Sequence, residues 1–207
     1  EVYEKLYGGK DAEVAAGPEV AKVFEAADTA RKLSAKSNVQ GWNDATNMVI
    51  TGQAAAQIMG DWAQGEFQVA NMVAGKDYTC LPGLGVNPYI ATGGVPFYFP
   101  LLKDEAKSKA QDLLAATLLK PETQVAFNLK KGSLPVRGDV DLATANDCMK
   151  KGLEILAKGN VIQSPDQLMD PDSLTQINDI LVEFWNNPSL SAADAQARFA
   201  QVVKNAN

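Results

Sequence analysis

The triplet Gly60-Asp61-Trp62 sets an acid beside a large aromatic, two side chains suited to holding a neutral, hydroxylated molecule. Trp offers a flat apolar face, and an ionised Asp accepts hydrogen bonds from hydroxyls. A sugar has matching features, with apolar C–H faces and a polar rim. The triplet ends a longer stretch, Gly52-Gln53-Ala54-Ala55-Ala56-Gln57-Ile58-Met59-Gly60-Asp61-Trp62-Ala63, in which a short apolar run leaves a turn and meets a new amphipathic segment. The same residues admit a structural reading, with Trp62 in a core and Asp61 as a helix N-cap. Local sequence leaves both readings open.

Other chemistry is sparse. The 207 residues include no histidine, which removes Ser-His-Asp and Cys-His catalysis, His-ligated metals and His acid–base work. A formal net charge of −6 opposes nucleic-acid binding. No apolar run reaches the ~18 residues of a membrane span. Gly83-Leu84-Gly85 runs into Val86-Asn87-Pro88 rather than a helix, so it is not a phosphate cradle. The expectation is a binding protein with no catalytic residues, metal or cofactor. Cys80 and Cys148 stand far apart and outside any CxxC pair. They are two buried thiols or one disulfide, and the second would imply an oxidising compartment. The sequence opens at Glu1 without a methionine or signal peptide, which is expected of a processed, trimmed or fragmentary chain.

The elements that must position these residues are mostly helical. Gly17-Pro18 opens a helix with Val20, Val23, Phe24, Ala27 and Ala30 on one face, and Gly41-Trp42 opens another that stops at Gly52. Residues 55–59 read as a strand, and 63–74 as a helix with Phe67, Ala70 and Val73 inward. Three β-type runs follow at 78–81, 89–92 and 95–99. Residues 104–119 form a helix on the pattern Ala106, Ala110, Leu113, Leu114, Leu118, and Pro121 starts the next, ending near Lys130-Lys131-Gly132. Residues 133–138 must be extended, because Leu134 precedes a proline. Helices at 143–158, 171–186 and 192–205 complete the chain, the last behind Ser191 and Asp194 in a capping-box-like spacing. This is an α/β chain, rich in helix and short of strands for a sheet of its own.

The order of these motifs resembles the C-terminal half of an extracellular solute-binding protein of an ABC sugar transporter, of the glucose/mannose-binding type. The resemblance rests on Gly52 to Trp62, on Phe127-Asn128-Leu129-Lys130-Lys131-Gly132-Ser133-Leu134-Pro135-Val136-Arg137, and on Cys80-Leu81-Pro82-Gly83 with Asp147-Cys148. It implies a two-lobed type II periplasmic-binding-protein fold that closes over one ligand. It also implies a carbohydrate ligand, a periplasmic or otherwise extracytoplasmic location and delivery to ABC permease subunits. Residues 1–91 and 137–207 would then belong to the C-terminal lobe, and 92–136 would return to the N-terminal lobe. The missing N-terminal half would supply most of that lobe and the absent strands. A Cys80–Cys148 disulfide is implied as well.

By the same resemblance, Trp62 stacks on the sugar ring, Lys131 donates to its hydroxyls, and Asp61 accepts from one or caps a helix. Trp42, Asn43 and Asp44 could rim a cleft, or Trp42 could be core with Asn43 as a cap. Arg137 is expected on backbone or a carboxylate, and Trp185 with Phe184 in a core. The chain departs from the glucose-binding pattern twice. Gly94-Val95-Pro96-Phe97 lacks a preceding acid, and Ser164-Pro165-Asp166-Gln167 stands where a histidine is usual, with Gln167 the nearest substitute. Both changes would alter which hydroxyls are read. Two rival readings are a partner-binding fragment with no ligand site, and a carboxylate-dependent hydrolase using Asp61 and Asp166.

Overall fold

The computed structural model describes residues 1–34, 39, 41–87 and 89–206, apart from the side chain of Thr92. Among them the α-helices are α1 (Ala12–Ala15), α2 (Pro18–Leu33), α3 (Trp42–Ile50), α4 (Gln64–Val69), α5 (Glu105–Leu118), α6 (Pro121–Lys131), α7 (Asp147–Ala157), α8 (Pro165–Leu168), α9 (Pro171–Asn186) and α10 (Ala192–Asn205). Two short strands, β1 (Ile90–Thr92) and β2 (Val161–Gln163), form a two-stranded sheet. The chain divides into two units, one of Glu1–Lys36, Ala91–Gly93 and Gln163–Asn207, the other of Ser37–Ile90 and Gly94–Ile162.

Helix ends follow local chemistry. Pro18, Pro121 and Pro171 occupy first turns, where a missing N–H costs nothing. The side chains of Asp104, Asn146, Asp170 and Ser191 each accept from a backbone N–H of the first turn. The Ser191 hydroxyl also donates to the Asp194 carboxylate at 2.6 Å, so the acid closes the box on the side chain rather than the backbone.

The first unit builds its core from α2, α9 and α10. Phe24 sits 5.8 Å from both Phe184 and Phe199, ring to ring, and Val20, Ile177, Ala195, Val202 and Val203 surround them. Val23, expected on this face, is exposed instead, because the buried stripe runs through Val20, Phe24 and Ala27. Trp185 is likewise 44% exposed while Phe184 is buried, since adjacent helical positions point about 100° apart. The expected Phe184–Trp185 core pair is therefore Phe184 alone.

Arg31 closes this unit. Its guanidinium donates to the carbonyls of Phe184 and Asn187 (3.0 Å) at the end of α9 and of Leu190 (3.0 Å) in the connection to α10, and lies 4.0 Å from the Phe184 ring centroid. Asp28 pairs with it at 2.6 Å, and only 8% of the Arg31 side chain is exposed. Orphan carbonyls at a helix C-terminus need such donors. Arg31→Ala is expected to destabilise the protein by about 2–4 kcal/mol, since charged hydrogen bonds contribute more than neutral ones. Arg31→Lys should recover only part of this, because one ammonium cannot reproduce the planar fork. Urea unfolding measures both, and an unchanged midpoint for Arg31→Ala would refute the role.

The second unit differs from expectation in its strands. Residues 55–59 are not a strand, and neither are 95–99; of 78–81, only Tyr78 makes an isolated bridge, to Ala74. Only 89–92 yields a strand, β1, and β2 was not foreseen. Ile58 is 74% exposed, so its run has the composition of a buried strand without a neighbour among the described residues to pair with. The helix expected over 63–74 stops at Val69, and Asn71 takes a left-handed conformation with φ 59°. Phe67 points inward and stacks on Tyr78 at 4.2 Å, whereas Ala70 and Val73 are exposed. The helix expected from 143 begins at Asp147, held back by the Asn146 cap.

Candidate functional site

Asp61 and Trp62 form a 3-10 turn, Asp61–Ala63, that leads directly into α4. The last turn of α6 packs against this entrance. Gly132 ends α6 in the left-handed region at φ 80°, and a Cβ there would collide with Gln64 and approach the Asp61 carbonyl to 3.2 Å. A Cβ at Gly65 would make only ordinary van der Waals contact with the carbonyls of Lys131 (3.4 Å) and Lys130 (3.6 Å). Gly132 lets the backbones meet, and the buried Gln64 amide donates to its carbonyl at 2.7 Å. Lys131 is thereby brought beside the Asp61-Trp62 turn.

A polar network fixes the chain beyond α6. Asn128, buried within α6, accepts from the Ser133 hydroxyl at 2.7 Å, and Gln124 accepts from the Val136 N–H at 3.1 Å. The other end of the Gln124 amide donates to the Leu118 carbonyl at 2.8 Å. Leu134 packs over Gly152 of α7, where a Cβ would meet it at 3.1 Å. The extended segment expected at 133–138 is thus held from α6 on one side and α7 on the other.

The electrostatics are mixed. Asp61 keeps contact with solvent, yet crowding by protein atoms raises its carboxyl above the ordinary aspartate value. The Lys131 ammonium and the backbone N–H groups of Trp62 and Leu134 offset part of that rise. Lys131 is half-buried, its ammonium 5.7 Å from the Phe127 ring centroid, while Lys130 is exposed. Trp62 remains 44% exposed, so the core reading of this tryptophan does not hold in this chain. Asp61 does not cap α4; the first turn has no side-chain cap.

The remaining candidates are less concentrated. Trp42 begins α3 and is 42% exposed, not core. Its carbonyl accepts from the Gln57 amide at 2.9 Å, and the one Thr46 hydroxyl hydrogen is shared between that carbonyl (2.9 Å) and the Gln57 amide oxygen (2.7 Å). This ties α3 to the segment leading to Gly60. Asn43 is not the cap, since Gly41 holds that position. Gln167 lies exposed in α8, within the other unit. Arg137 donates to Asp139 and to the Leu119 carbonyl at 3.2 Å, as expected of a residue bonded to backbone and carboxylate. Cys80 and Cys148 form a disulfide with Cα atoms 5.4 Å apart. Among the described residues, no cluster of acidic, Cys or His side chains is arranged to hold a metal, and no helix is long and apolar enough to cross a membrane.

The sequence has relatives along its whole length. A probable sugar-binding periplasmic protein of Brucella suis is 32% identical over 98% of this chain, and one of Rhizobium meliloti is 40% identical over 67%. The likeness is to sugar-binding periplasmic proteins. An ABC transporter extracellular-binding protein of Pyrococcus horikoshii is 26% identical over 73% of the chain. The aligned part spans 49% of the Brucella suis protein and 34% of the other two. No family model matches the chain.

Sequence reading alone missed Gln64, Gln124 and Asn128. Each is a polar residue inside an amphipathic segment, and nothing local reveals that its partner lies in a distant loop. Gly132 was foreseeable as a helix stop, because a left-handed C-terminal residue after two lysines is a common ending.

Proposed function

We propose that this chain is part of the substrate-binding component of a carbohydrate ABC importer, of the glucose/mannose-binding type. The observation that carries the reading is the half-exposed Trp62 beside Asp61 and Lys131, in a chain aligned over 98% of its length with a sugar-binding periplasmic protein. The indole supplies an apolar platform, the carboxylate an acceptor and the ammonium three donors, which together match a pyranose face and its hydroxyls.

In the whole protein, two lobes of a type II binding fold close over the sugar and deliver it to the permease. Residues 1–91 and 137–207 belong to the C-terminal lobe and 92–136 to the N-terminal lobe, most of which comes from sequence outside these 207 residues. Trp42 and Gln167 add selectivity from their own elements. The Cys80–Cys148 disulfide supports a periplasmic or extracytoplasmic location, where such bonds persist. Calorimetry of the full-length protein against mono- and disaccharides, sugar alcohols and sugar acids tests the reading. Binding of at least one member is expected, and silence across the panel would overturn it. In the same assay, release of product from glycosides would favour the hydrolase instead.

Asp61 gives this function a pH signature. A sugar hydroxyl donates to the ionised carboxyl, so protonation removes the acceptor. Because crowding raises this carboxyl, affinity is expected to fall on acidification from neutral, beginning at a higher pH than a free aspartate would impose. The stability effect has the opposite sign, since a raised carboxyl penalises the charged folded state and that penalty lifts on protonation. Asp61→Asn should flatten the affinity profile, and an unchanged acid limb in that variant would exclude Asp61 as its source.

A further inference from the structure

We infer that Gly60 is a positioning residue for the Trp62 indole, an inference that rests on the sugar-stacking reading of Trp62 and extends it to what sets the ring's placement. Gly60 has φ −70° and ψ 167°, extended backbone that any residue adopts. Its conformation therefore does not require glycine. Gly60 precedes a helical turn, where glycine is tolerated but Ser, Asp or Asn would also supply a side-chain cap, so this position does not single out glycine.

Space is what requires it. A Cβ at Gly60 would overlap Cζ3 and Cη2 of Trp62, and its distance to Cε3 would be only 2.6 Å. Those three carbons form one edge of the six-membered ring, so this part of the indole lies against the Gly60 Cα. The backbone covers it there, while Trp62 as a whole stays half-exposed. A ring lodged in this way has fewer rotamers to lose when a sugar stacks on it. A single methyl at position 60 must push the indole out of this seat.

The test uses Gly60→Ala in the full-length protein, with three readouts. The indole N–H resonance of Trp62, assigned by its loss in Trp62→Phe, is expected to shift. Affinity for whichever of D-glucose and D-mannose binds the wild type is expected to fall by about tenfold or more. In a Trp62→Ala background, Gly60→Ala is expected to leave residual binding unchanged and to cost less stability than in the wild type, only the small penalty of alanine at a helix start, because the clash has gone. An unshifted resonance would overturn the inference, and so would an equal loss of stability with and without the indole. If Gly60→Ala does not fold, the Gly60→Ala/Trp62→Ala double variant must fold, and its failure would also overturn the proposal. A wild type that binds no sugar defeats the sugar reading, while the resonance and the double-mutant comparison still decide the role of Gly60.

Discussion

Trp62→Ala is expected to weaken sugar binding by about tenfold or more while leaving the fold intact. Truncating a buried stacking aromatic commonly costs ~2 kcal/mol or more in affinity. Trp62 is only half-buried before ligand arrives, so little folding energy depends on it. Its neighbours are held by other means: Gln64 donates to the Gly132 carbonyl, and Asn128 accepts from Ser133. Those bonds survive the truncation. Phe184→Ala is the control, because Phe184 is 1% exposed and central to the other unit. Losing that ring should cost about 3–5 kcal/mol of stability without changing which sugars bind. Calorimetry and urea unfolding on both variants separate the effects. A Trp62→Ala protein that binds sugar like the wild type would remove the stacking role.

Lys131→Ala probes the same site from its polar side. It removes three donors and a charge that acts on Asp61, so the ranking of sugars should change along with overall affinity. A uniform loss across all sugars would instead point to an indirect effect of the α6 ending.

The helices were legible in the sequence because their signals are local. Pro18, Pro121 and Pro171 mark starts, and Asp104, Asp170 and Ser191 supply caps within three residues of the groups they satisfy. Strands carry no comparable local guarantee. The apolar runs at 55–59 and 95–99 identify chain suited to a sheet, but a ladder needs a second edge, and none pairs with them among the described residues. The faces of helices were only partly legible. Val23 and Trp185 sit next to buried phenylalanines in sequence and yet point to solvent, because composition gives apolar content before it gives direction. At the candidate site, residue types pointed to Trp62 and Asp61, and only the family resemblance pointed to Lys131. The Gln64–Gly132 contact joining them spans 68 residues and left no trace in local spacing.

Removing the Cys80–Cys148 disulfide is expected to have the larger effect on stability. The bond closes a separation of 68 residues, for which the chain-entropy account gives about 4 kcal/mol. That is a large share of the 5–15 kcal/mol typical of a folded domain. Its position extends the consequence to the site. Cys148 is buried in the first turn of α7, and Lys151, one turn on, donates to the Thr79 hydroxyl at 2.9 Å and the Cys80 carbonyl at 3.2 Å. Further along α7, Gly152 receives Leu134 from the segment that follows Lys131 and Gly132. With the disulfide lost, α7 depends on the Lys151 bonds to hold the 79–80 segment, and the seat of Leu134 loosens with it. A Cys80→Ser/Cys148→Ser protein should therefore unfold at lower urea and bind sugar more weakly, with the affinity loss smaller than that of Trp62→Ala. Reducing the wild type should reproduce both changes, and mass measurement after alkylation reports whether the bond has opened. An oxidised and a reduced protein with the same unfolding midpoint would show that the noncovalent contacts of α7 suffice.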